Sequence, residues 1–387
     1  MDKVRIGDIC TVVSGSTPKS NIEEYWNGDI KWITPAEITD DSYVISDTER
    51  HITERAVEKT NLTLLPVGTV LLSSRAPIGK TAIVGAEMYC NQGFKNLICS
   101  ERIYNKYLYF FLTSKVDYLN ALGRGATFKE ISKGIVEDVE IPLPSLDEQK
   151  KIVERFEAIQ QLLNKRKQAL LYLDNLVKSR FVEMFGDPVT NPMGWKVTTV
   201  GQVTTDVRYG TSAKANDDGQ YKYLRMNNLT YDGYLDLSDL KHIDVSDEEF
   251  EKCVVRKGDV LFNRTNSTEL VGKTALFDLN EDMVIAGYII RVRLHDIVSP
   301  VFFTRFMNME FMKKQLRSMA KGAVNQANIN AQELKAIAIY VPPIELQNEF
   351  ADFVEQTDKS KYAFEQFIKS VTQLKYHSIT YELRCRT

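Results

Sequence analysis

Ile141-Pro142-Leu143-Pro144-Ser145-Leu146-Asp147-Glu148-Gln149 is the stretch from which the architecture of this chain can be read. Ser145, followed three residues later by Glu148, forms a capping box: each side chain satisfies a backbone donor that a helix start would otherwise leave orphaned. Downstream, Ile152, Phe156, Ile159, Leu163, Leu170, Leu173, Val177 and Met184 keep the alternating four-and-three spacing of a heptad seam, interrupted at Arg166 and Arg180. Gly186-Asp187-Pro188 then supplies the stop. The spacing predicts a helix over 145–185, roughly 55 Å long at the α-helical rise.

The same punctuation occurs a second time. Ile339-Tyr340-Val341-Pro342 before Leu346-Gln347 opens another helix, 344–387, with Phe350, Val354, Phe364, Ile368, Val371 and Leu374 on its stripe, Thr357 and Lys361 inside it, and no capping serine. Upstream of each helix the elements also match in order. Gly28-Asp29-Ile30-Lys31-Trp32-Ile33-Thr34 corresponds to Gly219-Gln220-Tyr221-Lys222-Tyr223-Leu224-Arg225, and Gly68-Thr69-Val70-Leu71-Leu72 to Gly258-Asp259-Val260-Leu261-Phe262. Ile78-Gly79-Lys80-Thr81-Ala82 has its counterpart in Val271-Gly272-Lys273-Thr274-Ala275. The chain is therefore written twice, with a period of about half its length. Its parts are a globule over 1–144, a long helix over 145–185, a linker over 186–195 rich in proline and glycine, a second globule over 196–343 and a second long helix over 344–387. The expected fold class is α+β: two mixed α/β domains in pseudo-two-fold repeat, separated by two long antiparallel coiled-coil helices. Each apolar stripe has the other as its obvious partner; the alternative is that each covers its own globule.

Composition bounds what such a chain does. Its 387 residues suit two or three domains, and 26% charged with 43% hydrophobic residues is the balance of a globular protein. No apolar run reaches membrane-spanning length and no apolar leader follows Met1, which together imply a cytoplasmic protein with no membrane contact. Five scattered cysteines and four separated histidines suggest neither a disulfide framework nor a metal or Ser-His-Asp site. A net charge of −3 argues against a uniformly basic nucleic-acid binder, so any such surface is local. One local excess lies between Glu310 and Glu333, where Lys313, Lys314, Arg317 and Lys321 meet no acidic residue.

Catalytic signatures are missing. Both Gly-Lys-Thr triplets lack the glycine that a phosphate-cradling loop places five positions earlier; Ser74 and Ser267 stand there. Asn191-Pro192-Met193-Gly194-Trp195 only superficially matches the motif with which amino-methyltransferases hold a flipped base, since a second proline and an adjoining aromatic are lacking. No glycine-rich cofactor turn follows a strand.

Several stretches together resemble the type I restriction-modification specificity-subunit family. They are Ser14-Gly15-Ser16-Thr17-Pro18 with Tyr25-Trp26-Asn27-Gly28-Asp29-Ile30-Lys31-Trp32-Ile33-Thr34-Pro35-Ala36-Glu37-Ile38, then Arg75-Ala76-Pro77-Ile78-Gly79-Lys80, Asn91-Gln92-Gly93-Phe94-Lys95, and Gly258 to Ser267 with Val271-Gly272-Lys273. The resemblance spans nearly the whole chain and departs from the repeat mainly after Tyr381. It implies a non-catalytic reader of double-stranded DNA, in which each target-recognition domain takes one half of a bipartite asymmetric site. It also implies two DNA-methyltransferase subunits docked on the helices and restriction/translocase subunits joining them, with S-adenosylmethionine, ATP and Mg on those partners and no cofactor on this chain.

Residue chemistry then nominates contacts. Arg75, Lys80, Arg264 and Lys273, with Asn266 beside them, follow repeated strands and suit phosphate or guanine. Arg124, Lys129 and Lys133 have counterparts in Lys321, Gln326 and Asn328, and amide side chains pair bidentately with adenine. Arg225, Asn227 and Asn228 occupy one strand end, Thr34 and Glu37 the comparable one. The Gly-Lys pairs also admit a second role, as fold determinants, because motifs shared by readers of different sequences cannot all read bases. Two other readings stay open at this point: the recognition end of a methyltransferase or nuclease, and an assembly scaffold without DNA readout.

Overall fold

A computed structural model describes residues 3–39, 41–75, 77–125, 129–320 and 327–382, with side chains as far as 374. It divides into two compact units, Met1–Lys167 with Glu365–Thr387, and Gln168–Phe364. Each long helix, Leu146–Phe185 and Ile344–Glu382, is thereby shared between the units. The first helix packs Ile152, Val153 and Phe156 into one core and Val177, Phe181 and Phe185 into another, and the second packs Phe350 and Val354 into the latter.

In the first unit a five-stranded sheet runs in the order Cys10–Ser14, Lys95–Cys99, Val70–Leu72, Thr81–Val84, Val44–Ile45, antiparallel except for the last pair. Its centre is apolar on both faces. Val70 and Leu72 face a core that contains Val12, Tyr107, Phe111, Ile152, Val153 and Phe156, whereas Leu71 faces another with Ile33, Val84 and Phe94. Successive side chains of a strand point to opposite faces, so three consecutive apolar residues serve two cores. A smaller sheet of His51–Ile52, Trp26–Ile33 and Tyr89–Cys90 completes the globule.

The second unit reuses the plan. Thr204–Tyr209, Ile289–Leu294, Val260–Asn263 and Thr274–Leu276 form an antiparallel sheet in that order. Val260 and Phe262 enter the core that holds Phe181, Phe185, Phe302 and Phe350, while Leu261 enters one with Leu224 and Phe277. A second sheet contains Lys241–Ile243, Tyr221–Leu224, Met283–Ile285 and Val254–Val255.

Each globule is closed by a two-stranded pairing that joins its beginning to the strand before its long helix: Lys3–Arg5 with Glu140–Pro142, and Lys196–Thr199 with Ala338–Val341. The first long helix starts on the expected capping box, with Ser145 N donating to Glu148 Oε2 at 3.1 Å and Glu148 N to Ser145 Oγ at 3.4 Å. Behind it, Gln149 is fully buried; its Nε2 donates to Arg102 O (3.1 Å) and Pro144 O (2.9 Å), and its Oε1 accepts from Tyr104 N (2.7 Å). Gln347 makes the same clamp in the second unit, donating to Ile297 O (3.1 Å) and Pro342 O (2.8 Å) and accepting from Ser299 N (2.8 Å). The repeated glutamine thus welds each helix start to its own globule.

The stripes do both things weighed from sequence. Ile152, Phe156 and, at its edge, Ile159 pack on the first globule, and Val177 and Phe181 on the second, with Leu163 buried and Leu170 and Leu173 half-buried between these ends. The helices also meet. Within the second unit, Phe181 and Phe185 lie 5.5 and 5.3 Å from Phe350 between ring centroids, and Arg180 bonds Glu349 at 3.1 Å. Asp174 reaches Lys361, so partner numbers rise along one helix as they fall along the other, the mark of an antiparallel pair. In the first unit the Arg166 guanidinium sits 4.9 Å over the Phe367 ring. Val354 is buried on the second helix and Phe364, Ile368 and Val371 are half-buried, but Leu374 is 62% exposed and is not a seam residue. The linker acts as a helix stop: Trp195 Nε1 caps Phe185 O at 2.9 Å, and Asn191 holds the Trp195 backbone at both N and O. That accounts structurally for the Asn191 to Trp195 motif. Among the described residues no helix is long and apolar enough to cross a membrane.

Candidate nucleic-acid interface

Two of the repeated motifs converge inside each globule. At the strand end of the first unit, Glu37 Oε1 accepts from Thr34 N at 2.7 Å and Thr34 Oγ1 at 3.0 Å, and Glu37 Oε2 accepts from Glu49 N at 2.7 Å. This ties off the short turn Pro35–Glu37, whose Pro35 carbonyl receives Lys80 Nζ at 3.2 Å. In the second unit, Asn228 Oδ1 accepts from Arg225 N at 2.8 Å and Asn228 Nδ2 donates to Asp236 O at 2.8 Å. Lys273 Nζ then donates to Met226 O at 2.7 Å. Lys273 is 8% exposed, and burial holds its ammonium below the ordinary lysine pKa. The glycine before each lysine has a left-handed backbone, φ +97° at Gly79 and +82° at Gly272, which aims the lysine inward. Lys80, Lys273, Thr34, Glu37 and Asn228 are thus engaged in buttressing the turns. Arg225 bonds Asp239 Oδ2 at 2.7 Å, and Asn227 is exposed at the turn's tip.

A different edge carries the exposed chemistry. In the first unit the segment after Val70–Leu72 runs beside Arg124 and residues 129–131: Ile131 N donates to Ser74 O at 2.9 Å, and Arg124 and Glu130 exchange backbone bonds at 3.0 Å. This brings Arg75, Arg124 and Lys129 together, all exposed, around Glu130. Glu130 bonds Arg75 Nε at 3.0 Å and Lys95 Nζ at 3.3 Å. Partial burial works against ionisation there, yet these two cations hold the carboxyl below its ordinary pKa. Lys133 stands apart, 3.6 Å from Glu137 on the next short helix.

The second unit builds the same edge with other side chains. Ile329 N donates to Arg264 O at 2.9 Å, and Thr265–Asn266 pairs with Ala327–Asn328. Asn328 is exposed and accepts Thr265 Oγ1 at 2.9 Å; Asn266 Nδ2 donates to Asn263 Oδ1 at 2.8 Å. The Arg264 guanidinium lies 4.8 Å over the Tyr209 ring, and its Nε is buried without a hydrogen-bond partner. Tyr209 and Tyr288 are 42% and 51% exposed beside it, aromatic surface that motif spacing had not nominated. Lys321 and Gln326 lie outside the described residues.

By backbone position Ser74 matches Arg264, and Arg75 matches Thr265, so the two arginines are not equivalent. They are one residue out of step and leave the strand on opposite faces. The basic run after Glu310 also differs from a solvated patch. Lys313 is 8% exposed, donates to Tyr231 O at 2.5 Å and sits 3.4 Å over the Tyr231 ring, while Arg317 bonds the Tyr231 hydroxyl at 2.6 Å. Only Lys314 of that group is exposed among the described residues. Among the described residues no group of three or more His, Cys, Asp or Glu side chains could hold a metal ion.

Comparison with known proteins agrees with this duplicated plan. The family model described as the type I restriction modification DNA specificity domain matches residues 1–172 and again 192–373. The type I restriction enzyme MjaIX specificity subunit of Methanocaldococcus jannaschii is 32% identical over 69% of this chain and 66% of its own length. The type I restriction enzyme EcoKI specificity subunit of Escherichia coli is 26% identical over 73% of this chain and 65% of its own. Both alignments stop just short of two-thirds of those relatives. Among solved structures, a chain of a type I R-M system shares the fold at TM-score 0.65 with 18% identity, covering 100% of this chain and 98% of that one. The S subunit from M. genitalium follows at TM-score 0.54 and 14% identity, covering 100% and 96%. With its two globules matched separately by one family model, the chain belongs to the type I restriction modification DNA specificity family.

Proposed function

We propose that this chain is the non-catalytic DNA-reading subunit of a type I restriction-modification enzyme, with each globule reading one half of a bipartite, asymmetric site. One observation carries the reading. The same backbone edge occurs once in each unit but presents Ser74, Arg75 and Glu130 in one and Arg264, Thr265 and Asn328 in the other. A scaffold held constant by inward-facing Lys80 and Lys273, while the side chains along its edge change and the exposed ones among them are Arg75 in one unit and Asn328 in the other, is what two readers of different sequences require. Arginine suits guanine and phosphate, and asparagine suits adenine.

The long helices are the spacer in this reading. Reading heads must match the separation of their half-sites, and a stiff helical pair converts residues into base pairs. Two methyltransferase subunits dock on the chain and restriction/translocase subunits join them, bringing S-adenosylmethionine, ATP and Mg. The test is to map N6-methyladenine in the host genome with and without this gene. Loss of one two-part motif with a fixed gap is the expected result; an unchanged methylome refutes the assignment.

A further inference from the structure

The second long helix carries a lysine where its seam calls for an apolar residue. Phe350, Val354, Thr357, Lys361, Phe364, Ile368 and Val371 form an unbroken four-and-three series, and Lys361 at its centre is 7% exposed. Its Nζ bonds Asp174 Oδ1 on the first long helix and donates to the Tyr234 hydroxyl at 2.7 Å. Tyr234 in turn donates to Asp358 Oδ1 at 2.9 Å, and Arg305 donates to Tyr234 Oη at 2.9 Å and to Asp358 Oδ2 at 3.2 Å. Two cations and one carboxylate therefore close on one tyrosine, with Asp174 reached through Lys361, joining both long helices to the second globule within a single compact unit. Tyr234 lies on the same loop as the turn that Lys273 holds, bonded to it through Thr230.

A charged group in an apolar seam costs stability and is retained where it specifies register. The sequence on the facing helix makes the specification strict. A slip of one heptad would set Lys361 against Lys167 or Phe181, and a slip of half a heptad against Leu170 or Val177. Each alternative removes the carboxylate on the facing helix and leaves the buried ammonium with only Asp358 of its own helix, 3.6 Å away, or sets it beside another cation, and an under-paired buried charge is costlier than an apolar mismatch. Arg180, on the stripe of the first helix in this unit, also reaches across, to the more exposed Glu349.

We infer that Lys361 is a positioning residue that locks the register of the two long helices on the second globule, and thereby sets which gap between half-sites the enzyme accepts. This rests on the spacer role proposed above. The test uses the assembled methyltransferase on a library in which fixed half-sites are separated by gaps of varying length. Lys361→Met should keep recognition of both half-sites but lower the preference for the native gap over its one-base-pair neighbours by about tenfold. Exchanging the charges, Lys361→Asp with Asp174→Lys, should restore it. Full gap preference in a folded Lys361→Met, or an exchanged pair that folds without recovery, overturns the lock. If Lys361→Met fails to fold, Asp174→Asn, which removes the charge of the facing partner and keeps its shape, takes its place with the same loss of gap preference expected and full gap preference overturning the lock. A wild-type enzyme that methylates no two-part site would instead sink the underlying spacer reading.

Discussion

Arg264 is the half-buried residue at which charge and an unmet hydrogen-bonding group coincide. Its Nε has no partner, and the guanidinium is stacked on Tyr209 at 4.8 Å rather than paired with a carboxylate. Arg75, by contrast, is already bonded to Glu130. Arg264→Ala should therefore weaken DNA binding by the assembled enzyme by about 1–3 kcal/mol if it reads a guanine, leaving subunit assembly intact. Affinity unchanged across a salt series would remove it from the interface. Gln347 tests the opposite kind of residue. Its side chain is fully buried and satisfies Ser299 N, Ile297 O and Pro342 O, so Gln347→Ala should cost about 2–4 kcal/mol in urea unfolding with no exposed chemistry touched. A change below ~0.5 kcal/mol would mean that the clamp does not bear on stability.

At the scale of elements, the helix Glu310–Met319 shows how burial rewrites a charged stretch. Burial pushes Lys313 down from 10.5 to about 8. Between those two values the unfolded chain binds a proton that the folded chain does not, so this lysine makes stability rise as pH climbs through that window. Below about 8 both states are protonated and the penalty is fully present. The pH-dependent stability of wild type minus that of Lys313→Met should therefore increase from pH 8 to 10.5; a flat difference would show that the group is not desolvated. The same physics decides what could be read in advance. The repeat, the capping box on Ser145 and the first helix's stop were legible because they are local: spacing, a cap and a glycine-proline break act over a few residues. The inward aim of Lys80 and Lys273 was not, because nothing nearby in sequence reveals that their partners are the carbonyls of Pro35 and Met226. Nor was the one-residue offset between Arg75 and Arg264, which only strand pairing exposes. Lys361 and Arg180 read as interruptions of the seams for a similar reason, since their partners Asp174 and Glu349 lie on the other helix.

For the whole molecule, the proposed spacer makes a demand on both length and angle. The compact units divide between Lys167 and Gln168 and between Phe364 and Glu365, so residues added at those two points leave the internal contacts of each unit, including the Lys361–Asp174 bond, in place. Whole heptads preserve the phase of the seam. One heptad in both helices adds about 10 Å, or about three base pairs, which turns the second half-site roughly a quarter to a third of the way around the duplex and away from its reader. Three heptads in both helices add about 31 Å, close to one turn of DNA at roughly 34–36 Å, so both half-sites again face the protein. The three-heptad enzyme should methylate the same two half-sites separated by a gap about nine or ten base pairs longer, while the one-heptad enzyme should methylate poorly at every gap. Adding three heptads to a single helix should abolish selective methylation, because the partner helix cannot span the added length. Methylation by the doubly extended enzyme at the original gap would show that the separation of the half-sites is set by something other than these two helices.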